Sequence, residues 1–254
     1  LPVSETLAKV LGQETKNMGK WDATKAIYWK NGAPLKPGDV LVIKDLDGKL
    51  KESFEIPGVP AFSNPAWSPD GRSIVVAGLV NGQVDLFQIQ LSSKKVTQLT
   101  NDRFAEMQPA WSADGSQLVF ATDQLSFQRG ATKWTFNLAI RDMVSGITTV
   151  NEFFYGADNL NPVWDNDGNI LFLSDRDGFR TLSRFEPATG KLFQMTDLLT
   201  GISGITPYAP ALSASTKETR DRIVFTHYFN GGYRIYRAKS EDFINRELAA
   251  DAVD

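Results

Sequence analysis

Short apolar runs recur along the chain, and each one is bounded by polar residues, glycine or proline. The clearest runs are 74–77, 118–121, 170–173 and 223–226, and 27–29 is a shorter example. Because a run of about four apolar residues between turn residues is too short for a helix, each is typical of a buried strand. The segments that follow, such as "QVDLFQI" and "YRIYRAK", alternate apolar and polar residues and predict a neighbouring strand.

A repeated phrase stands directly before these runs. It is "PAWSPDG" around Trp67, "PAWSADG" around Trp111 and "PVWDNDG" around Trp164. Leu212 takes the tryptophan position in "PALSAST", and Trp21 in "WDATKAI" starts a matching unit upstream. Five units with a period of roughly 40–50 residues predict an all-β protein, a β-propeller whose blades are four-stranded antiparallel sheets.

The predicted organisation is a short N-terminal segment, a propeller of about five four-stranded blades, and a C-terminal helix that begins near Ser240. These segments are 1–20, 21–240 and 241–254, and the five units lie near 21–64, 65–108, 109–161, 162–209 and 210–240. Six blades, or a part of a larger ring, are the alternatives. Since the last unit shows few strands, we expect the N-terminal segment around 7–11 to complete it and cover its open edge.

Composition narrows the classes of function. The chain has 254 residues, is 42% hydrophobic and 22% charged, and carries a net charge of −3, so nothing favours a nucleic acid or an anionic membrane as partner. It has no cysteine and one histidine, which excludes thiolate catalysis and a multi-histidine metal site. No apolar run is long enough for a membrane helix, and no G-x-S-x-G motif is present. We expect no catalytic site, no cofactor and no metal.

The residues that recur within the phrase have structural explanations. Asp-Gly pairs such as Asp70–Gly71 are the residues that tight turns with positive φ require, and a cation-binding loop is the alternative. The tryptophans recur at one position of the unit, so we expect them to pack between blades rather than to stack on a carbohydrate.

The opening of the central channel is the predicted binding site. The residues just before each phrase should surround this opening, and the loops that approach it add charged groups. The candidate residues of this channel mouth are Asn64, Arg103, Glu106, Gln108, Asp158, Asn161 and Tyr208. Polar concave surfaces of this kind bind peptides or small ligands, and a merely solvated channel is the alternative.

A second candidate lies in the extra length of the third unit, "TDQLSFQRGATKWTF". An insertion between two strands forms a loop on one rim of a propeller, and exposed loops often carry function. The candidate residues of this rim loop are Phe127, Arg129 and Trp134. A tolerated insertion without function is the alternative.

The phrase and the segment "SDRDG…TG…QMTD" that follows its third copy resemble the TolB-like propeller repeat of bacterial envelope proteins. The resemblance covers about residues 20–240. It implies a periplasmic or cell-surface location and a non-catalytic role, in which the propeller binds a protein or peptide segment, or a glycan. The alternative is a substrate-filtering accessory propeller of a larger peptidase or hydrolase, of which this chain would be a part. A lyase with related repeats is disfavoured, because such enzymes use several histidines.

Overall fold

The computed structural model describes residues 39–204, 206 and 208–248, and the backbone of four residues further upstream. The chain divides into two compact units, Leu1–Ile56 and Pro57–Asp254. Two antiparallel pairs of strands lie in the described part of the smaller unit. They are β1 (Trp29–Lys30) with β2 (Ala33–Pro34), and β3 (Val40–Lys44) with β4 (Leu50–Glu55).

Among its described residues, the larger unit contains four antiparallel sheets, in which neighbouring strands follow one another along the chain except for a fifth strand at the edge of the third sheet. The first is β5 (Ala61–Trp67), β6 (Ser73–Val80), β7 (Gln83–Gln90) and β8 (Val96–Gln98). The second is β9 (Glu106–Trp111), β10 (Gln117–Thr122), β11 (Asn137–Asp142) and β12 (Thr148–Asn151). The third is β13 (Asn159–Trp164), β14 (Ile170–Ser174), β15 (Thr181–Glu186) and β16 (Lys191–Gln194). The fourth has three strands, β17 (Leu212–Ala214), β18 (Ile223–Phe229) and β19 (Gly232–Ala238).

The core lies between successive sheets. Trp111 of the second sheet packs with Val75 and Leu86 of the first, and Trp164 of the third packs with Val119 and Leu138 of the second. Leu212 takes the same place in the fourth sheet, in a cluster with buried leucines of the third sheet. In each of these three repeats, the residue at the tryptophan position therefore packs against the preceding sheet. Propeller blades pack in this way, so the structure confirms the predicted all-β propeller class.

Trp67 differs from the other two tryptophans. Its side chain is 50% exposed, whereas Trp111 and Trp164 are 9% and 4% exposed. It stands on the first sheet of the larger unit, so no preceding sheet of that unit covers it.

The Asp-Gly pairs form turns between the first two strands of a sheet. Asp70 Oδ1 accepts hydrogen bonds from Ser68 Oγ at 2.6 Å and from the Arg72 N–H at 3.0 Å, and Gly71 has a φ of 68°. Asp114 repeats this arrangement with Ser112 and Ser116, and these hydrogen bonds lower its pKa to about 2. The turn explanation of these residues is thus the one that the geometry supports.

Two segments differ from the sequence prediction. The rim loop contains a short helix, α1 (Gln124–Arg129), which ends at Gly130 in the left-handed conformation. The predicted C-terminal helix is replaced, within the described residues, by a 3₁₀ turn at Ser240–Asp242 and a strand, β20 (Arg246–Leu248). β20 pairs with β16 and so satisfies the backbone hydrogen-bonding groups at the outer edge of the third sheet. This tertiary pairing outweighs the local helix propensity of the segment. The proposed closing strand around 7–11 lies outside the described residues.

Candidate functional site

The residue before each proline of the repeated phrase has an unusual backbone conformation. Asn64, Gln108 and Asn161 have φ values of 51°, 55° and 53°. At each of them the pairing between the first and second strands of the sheet shifts register, which is a β-bulge. Asparagine adopts a left-handed φ readily, whereas glutamine does so less often, so the conformation at Gln108 depends on its surroundings.

Those surroundings are a hydrogen-bond relay that joins three sheets. Gln108 Oε1 accepts the backbone N–H of Asn161 at 2.8 Å, and Asn161 Oδ1 accepts the backbone N–H of Ala211 at 2.8 Å. Gln108 also donates from Nε2 to the carbonyl oxygen of Tyr208 at 3.0 Å. Gln108 and Asn161 are buried, so these bonds satisfy polar groups that water does not reach.

The structure thus brings Gln108, Asn161 and Tyr208 together and gives the two amide oxygens partners within the protein. Asn64 is half-buried and accepts a hydrogen bond from Ser63 Oγ at 3.1 Å. The Tyr208 ring is 52% exposed and meets the edge of Phe136, with ring centroids 6.0 Å apart. Of this group, the Tyr208 ring is therefore the part most available to a ligand.

Glu106 belongs to a cluster of carboxylates that the sequence analysis did not find. One oxygen from each of Asp85, Asp102 and Glu106 lies within 4.8 Å of the others, and Thr100 Oγ1 donates to Glu106 Oε2 at 2.9 Å. Burial raises the pKa of Glu106 to about 9, with a further contribution from the charge of Asp102, and burial also raises the pKa of Asp85. Such a cluster either shares protons or holds a cation.

The other two charged candidates of the channel mouth occupy different positions. Asp158 accepts the backbone N–H of Phe136 at 2.9 Å and donates its own N–H to Asp175 Oδ1 at 2.7 Å. Burial raises the pKa of Asp158. Arg103 is exposed on the loop that leads into β9. Asp158 therefore fixes loop geometry, and Arg103 faces solvent.

The rim residues form an exposed aromatic row. Phe104 and Phe127 meet edge to face at 5.5 Å, and Phe127 meets Trp134 in the same way at 5.8 Å. Phe127 is 37% exposed and Trp134 is 51% exposed. Arg129, which lies on α1 with Phe127, forms a bidentate ion pair with Glu152, at 2.6 and 2.8 Å.

The helix α1, which carries Phe127, and the predicted mouth residue Glu106 lie at the same end of the second sheet. Thr122, the last residue of β10, pairs with Glu106, the first residue of β9, and α1 follows two residues later. At this end the Asn159 N–H also donates to the carbonyl oxygen of Phe136 at 2.8 Å. α1 and Glu106 thus lie near one another at this end of the second sheet.

His227 has a structural environment. Its Nδ1 lies 2.7 Å from the carbonyl oxygen of Gly201, a distance at which the tautomer with the proton on Nδ1 donates a hydrogen bond to that oxygen.

The comparisons with known proteins give a family and a fold. Residues 35–200 match the family model described as TolB beta propeller domain. A "Tol-Pal system protein TolB" from Francisella tularensis subsp. holarctica is 28% identical over 138 residues, which is 54% of this chain and 30% of that protein. The chain thus spans about a third of the length of this curated relative.

Two solved structures share the fold. TolB from Acinetobacter baumannii aligns with a TM-score of 0.65 at 18% identity, over 84% of this chain and 49% of that one. A puromycin hydrolase aligns with a TM-score of 0.56 at 17% identity, over 80% of this chain and 31% of that one. Separately, no helix among the described residues is long and apolar enough to cross a membrane.

Proposed function

This chain belongs to the family of TolB beta propeller domains, and on that premise we propose that it is a non-catalytic binding propeller that holds a segment of a partner protein. The segment docks on the face that carries the channel mouth and the rim. The relative from Francisella tularensis is named as a protein of the Tol-Pal system, and we propose a role of that kind, in the periplasm or at the cell surface, for this chain.

The exposed aromatic row on the rim carries this proposal. Aromatic side chains and arginine are enriched where proteins bind one another, and the aromatic ones bury a large area at a low cost in conformational entropy. Phe127 and Trp134 supply such area, and Arg129 lies on the same helix as Phe127. Tyr208 adds an exposed ring at the mouth.

The buried amide residues of the mouth make this face rigid. Since the amide groups of Gln108 and Asn161 bind the backbone of neighbouring sheets, the face is fixed before a partner arrives. A preformed surface loses less entropy on binding than a flexible one. We therefore propose Asn64, Arg103 and Tyr208 as mouth contacts, and the buried Glu106, Gln108 and Asn161, together with the half-buried Asp158, as the residues that hold them.

The test is binding of purified envelope proteins to the wild-type chain and to Phe127→Ala/Trp134→Ala. The matched control is Val144→Ala, because Val144 is an exposed apolar residue, 91% accessible, on the β11–β12 turn at the opposite end of the second sheet. We expect a partner that binds the wild type and the control equally and the double variant at least about tenfold more weakly. A partner whose affinity is the same for all three proteins would contradict the rim as the docking surface. If the chain bound a glycan and no protein, the ligand of this face would be a glycan instead of a partner protein.

The accessory-propeller alternative is separable from this proposal. The likeness to a puromycin hydrolase is one of fold, at 17% identity, and brings no activity with it. A substrate filter requires a hydrolase domain in the same polypeptide. The complete coding sequence decides between the two, because a hydrolase domain beside this chain would favour the filter.

A further inference from the structure

Three arginines line one cavity on the fourth sheet. The cavity has a volume of about 490 Å³, and its wall includes Arg220, Arg222 and Arg237 together with Ser213 and Ser215. No aspartate or glutamate is among the described residues that line it. The candidate residues of the channel mouth and of the rim loop do not line it either, so this cavity is a separate place on the molecule.

Strand pairing puts these side chains on one face of the sheet. Ser213 of β17 pairs with Val224 of β18, and Val224 pairs with Arg237 of β19, so the three side chains stand in one row. Arg222 lies two residues before Val224 and lines the same cavity. Leu212 alternates with Ser213 and packs into the buried cluster shared with the third sheet. The cavity therefore lies on the face that is turned away from the third sheet.

The three guanidinium groups have no acidic partner among the residues that the structure describes. Arg220, Arg222 and Arg237 are exposed, and in that part of the chain they form no ion pair and no side-chain hydrogen bond. Asp221 lies between two of them in the sequence, but its carboxylate accepts the Ser240 N–H at 2.9 Å and the Ser240 hydroxyl at 3.0 Å. The positive charge of this cavity is therefore open to a ligand.

An arginine on the corresponding strand of the third sheet is paired. Arg184 of β15 forms an ion pair at 3.1 Å with Glu186, which lies two residues further along the same strand. On β19 the residue two positions after Arg237 is Lys239. Relative to the arginine, the fourth sheet thus has a second cation where the third sheet has an acid.

The composition of this face limits what can cover it. The third sheet meets the fourth with buried leucines, namely Leu171, Leu173 and Leu182. The fourth sheet presents arginine and serine side chains at the cavity instead. Because the burial of an unpaired guanidinium is costly, a group that covers this cavity must bring negative charge.

We propose that this cavity binds an acidic segment of a polypeptide through the carboxylates of its side chains. Guanidinium groups bind carboxylates through two parallel N–H···O bonds, and a cavity lined by one sign of charge concentrates ions of the opposite sign. Ser213 and Ser215 add hydroxyl groups that can donate to the same oxygens. The inference goes beyond the proposed function, because it needs neither the rim loop nor the channel mouth.

Two observations favour a peptide over a phosphate compound. The volume of about 490 Å³ is that of a site for a molecule of several groups rather than for one free ion. A nucleotide is commonly held by stacking of its base on an aromatic ring, and no aromatic side chain is among the described residues of the wall. An extended acidic segment needs no such ring and can reach more than one of the arginines.

The test is a titration of isotope-labelled protein with a capped tetraglutamate peptide at low ionic strength, followed by nuclear magnetic resonance. We expect saturable shifts at Ser213, Arg222 and Arg237, with a dissociation constant below about 1 mM. Because the arginines are exposed, salt should weaken this binding. Capped tetraglutamine and inorganic phosphate should each bind at least about fivefold more weakly than tetraglutamate.

Arg237→Gln should weaken the binding of tetraglutamate about fivefold or more, and Arg222→Gln/Arg237→Gln should weaken it further. Arg234→Gln is the matched control and should change the affinity less than about twofold. Arg234 is exposed on the same strand, three residues before Arg237, and therefore points to the opposite face. All of these side chains are exposed, so the variants are expected to fold.

Equal losses in Arg234→Gln and Arg237→Gln would show a general attraction between charges and would overturn the inference. Absence of saturable shifts at the cavity would do the same, as would tetraglutamine or phosphate that binds as tightly as tetraglutamate. Because the probe is a free peptide that is observed at the fourth sheet, these results are distinct from failure of the rim loop to bind a partner protein.

Discussion

Gln108 donates its side-chain amide N–H to the carbonyl oxygen of Tyr208, which lies 100 positions further along the chain, at a distance of 3.0 Å. The same side chain accepts the N–H of Asn161 from the sheet that lies between them in sequence. One glutamine thus joins three consecutive repeats. Stability of this face should depend on these short amide side chains more than on the exposed residues around them.

The relay predicts different effects for two asparagines with the same backbone conformation. Asn161→Ala should lower the free energy of unfolding by about 1–3 kcal/mol more than Asn64→Ala, because it leaves the Ala211 N–H buried and unpaired. Both substitutions place alanine at a left-handed φ, so that cost cancels. Urea denaturation followed by circular dichroism measures the difference. Equal losses would show that the relay adds nothing.

The raised pKa of Glu106 predicts that the free energy of unfolding depends on pH. Its native pKa is about 9 and its ordinary value 4.5, so between these values the native state binds more protons than the unfolded state. The stability that this carboxyl contributes is therefore complete below about pH 4.5 and is lost as the pH rises through 9, by at most about 1.4 kcal/mol per pH unit.

Glu106→Gln should remove that slope, since glutamine fills the same space without a proton to lose. The variant should gain stability relative to the wild type from about pH 5 to about pH 8, as measured by denaturation at each pH. Parallel curves for the two proteins would mean that Glu106 titrates normally.

The tryptophans of the phrase predict unequal effects of one substitution. Trp164→Ala should lower the free energy of unfolding by about 3–5 kcal/mol, because Trp164 fills the space between two sheets and its Nε1 donates to the carbonyl oxygen of Ala110. Trp67→Ala should cost much less, since half of that side chain is already exposed. Circular dichroism in denaturant provides the comparison. A larger loss for Trp67→Ala would contradict this account of the packing.

The strand β20 predicts an effect of truncation. A chain that ends before Arg246 should melt at a lower temperature and associate with itself, because the edge of β16 becomes free to pair with another chain. A chain that ends after Leu248 keeps the strand and is the control. Thermal denaturation and light scattering report the two effects. If both truncated chains behave alike, β20 does not protect the edge.

Local patterns in the sequence were sufficient to predict most of the sheets. Short apolar runs and one tryptophan per unit specify a strand and the neighbour it packs on, as at Trp111 and Trp164. α1 was missed because "QLSFQR" is too short for helical spacing to be visible. β20 was missed because its pairing depends on a free edge of β16, which the spacing of residues 246–248 does not encode.

The candidate site was harder to predict for the same reason. The position before each proline was identified, but the inward role of Gln108 and Asn161 depends on backbone N–H groups of other repeats. The carboxylate cluster combines β7, the loop before β9 and the start of β9, so its members are near in space only after folding. One sign of the cluster was present in the sequence, because the apolar strand "QVDLFQI" contains an aspartate, Asp85.

The relay also has a direction. The repeat with Gln108 supplies an oxygen to the next repeat, which in turn supplies one from Asn161 to the fourth sheet, where the recipient at Ala211 offers only its backbone. A recipient needs no particular side chain, because every residue other than proline carries an N–H. The fourth sheet can therefore lose the tryptophan and the Asp-Gly turn and still be held by its neighbour. Where repeats have arisen by duplication, a hydrogen bond that needs only a backbone N–H from the terminal repeat allows the sequence of that repeat to diverge while it stays packed on its neighbour.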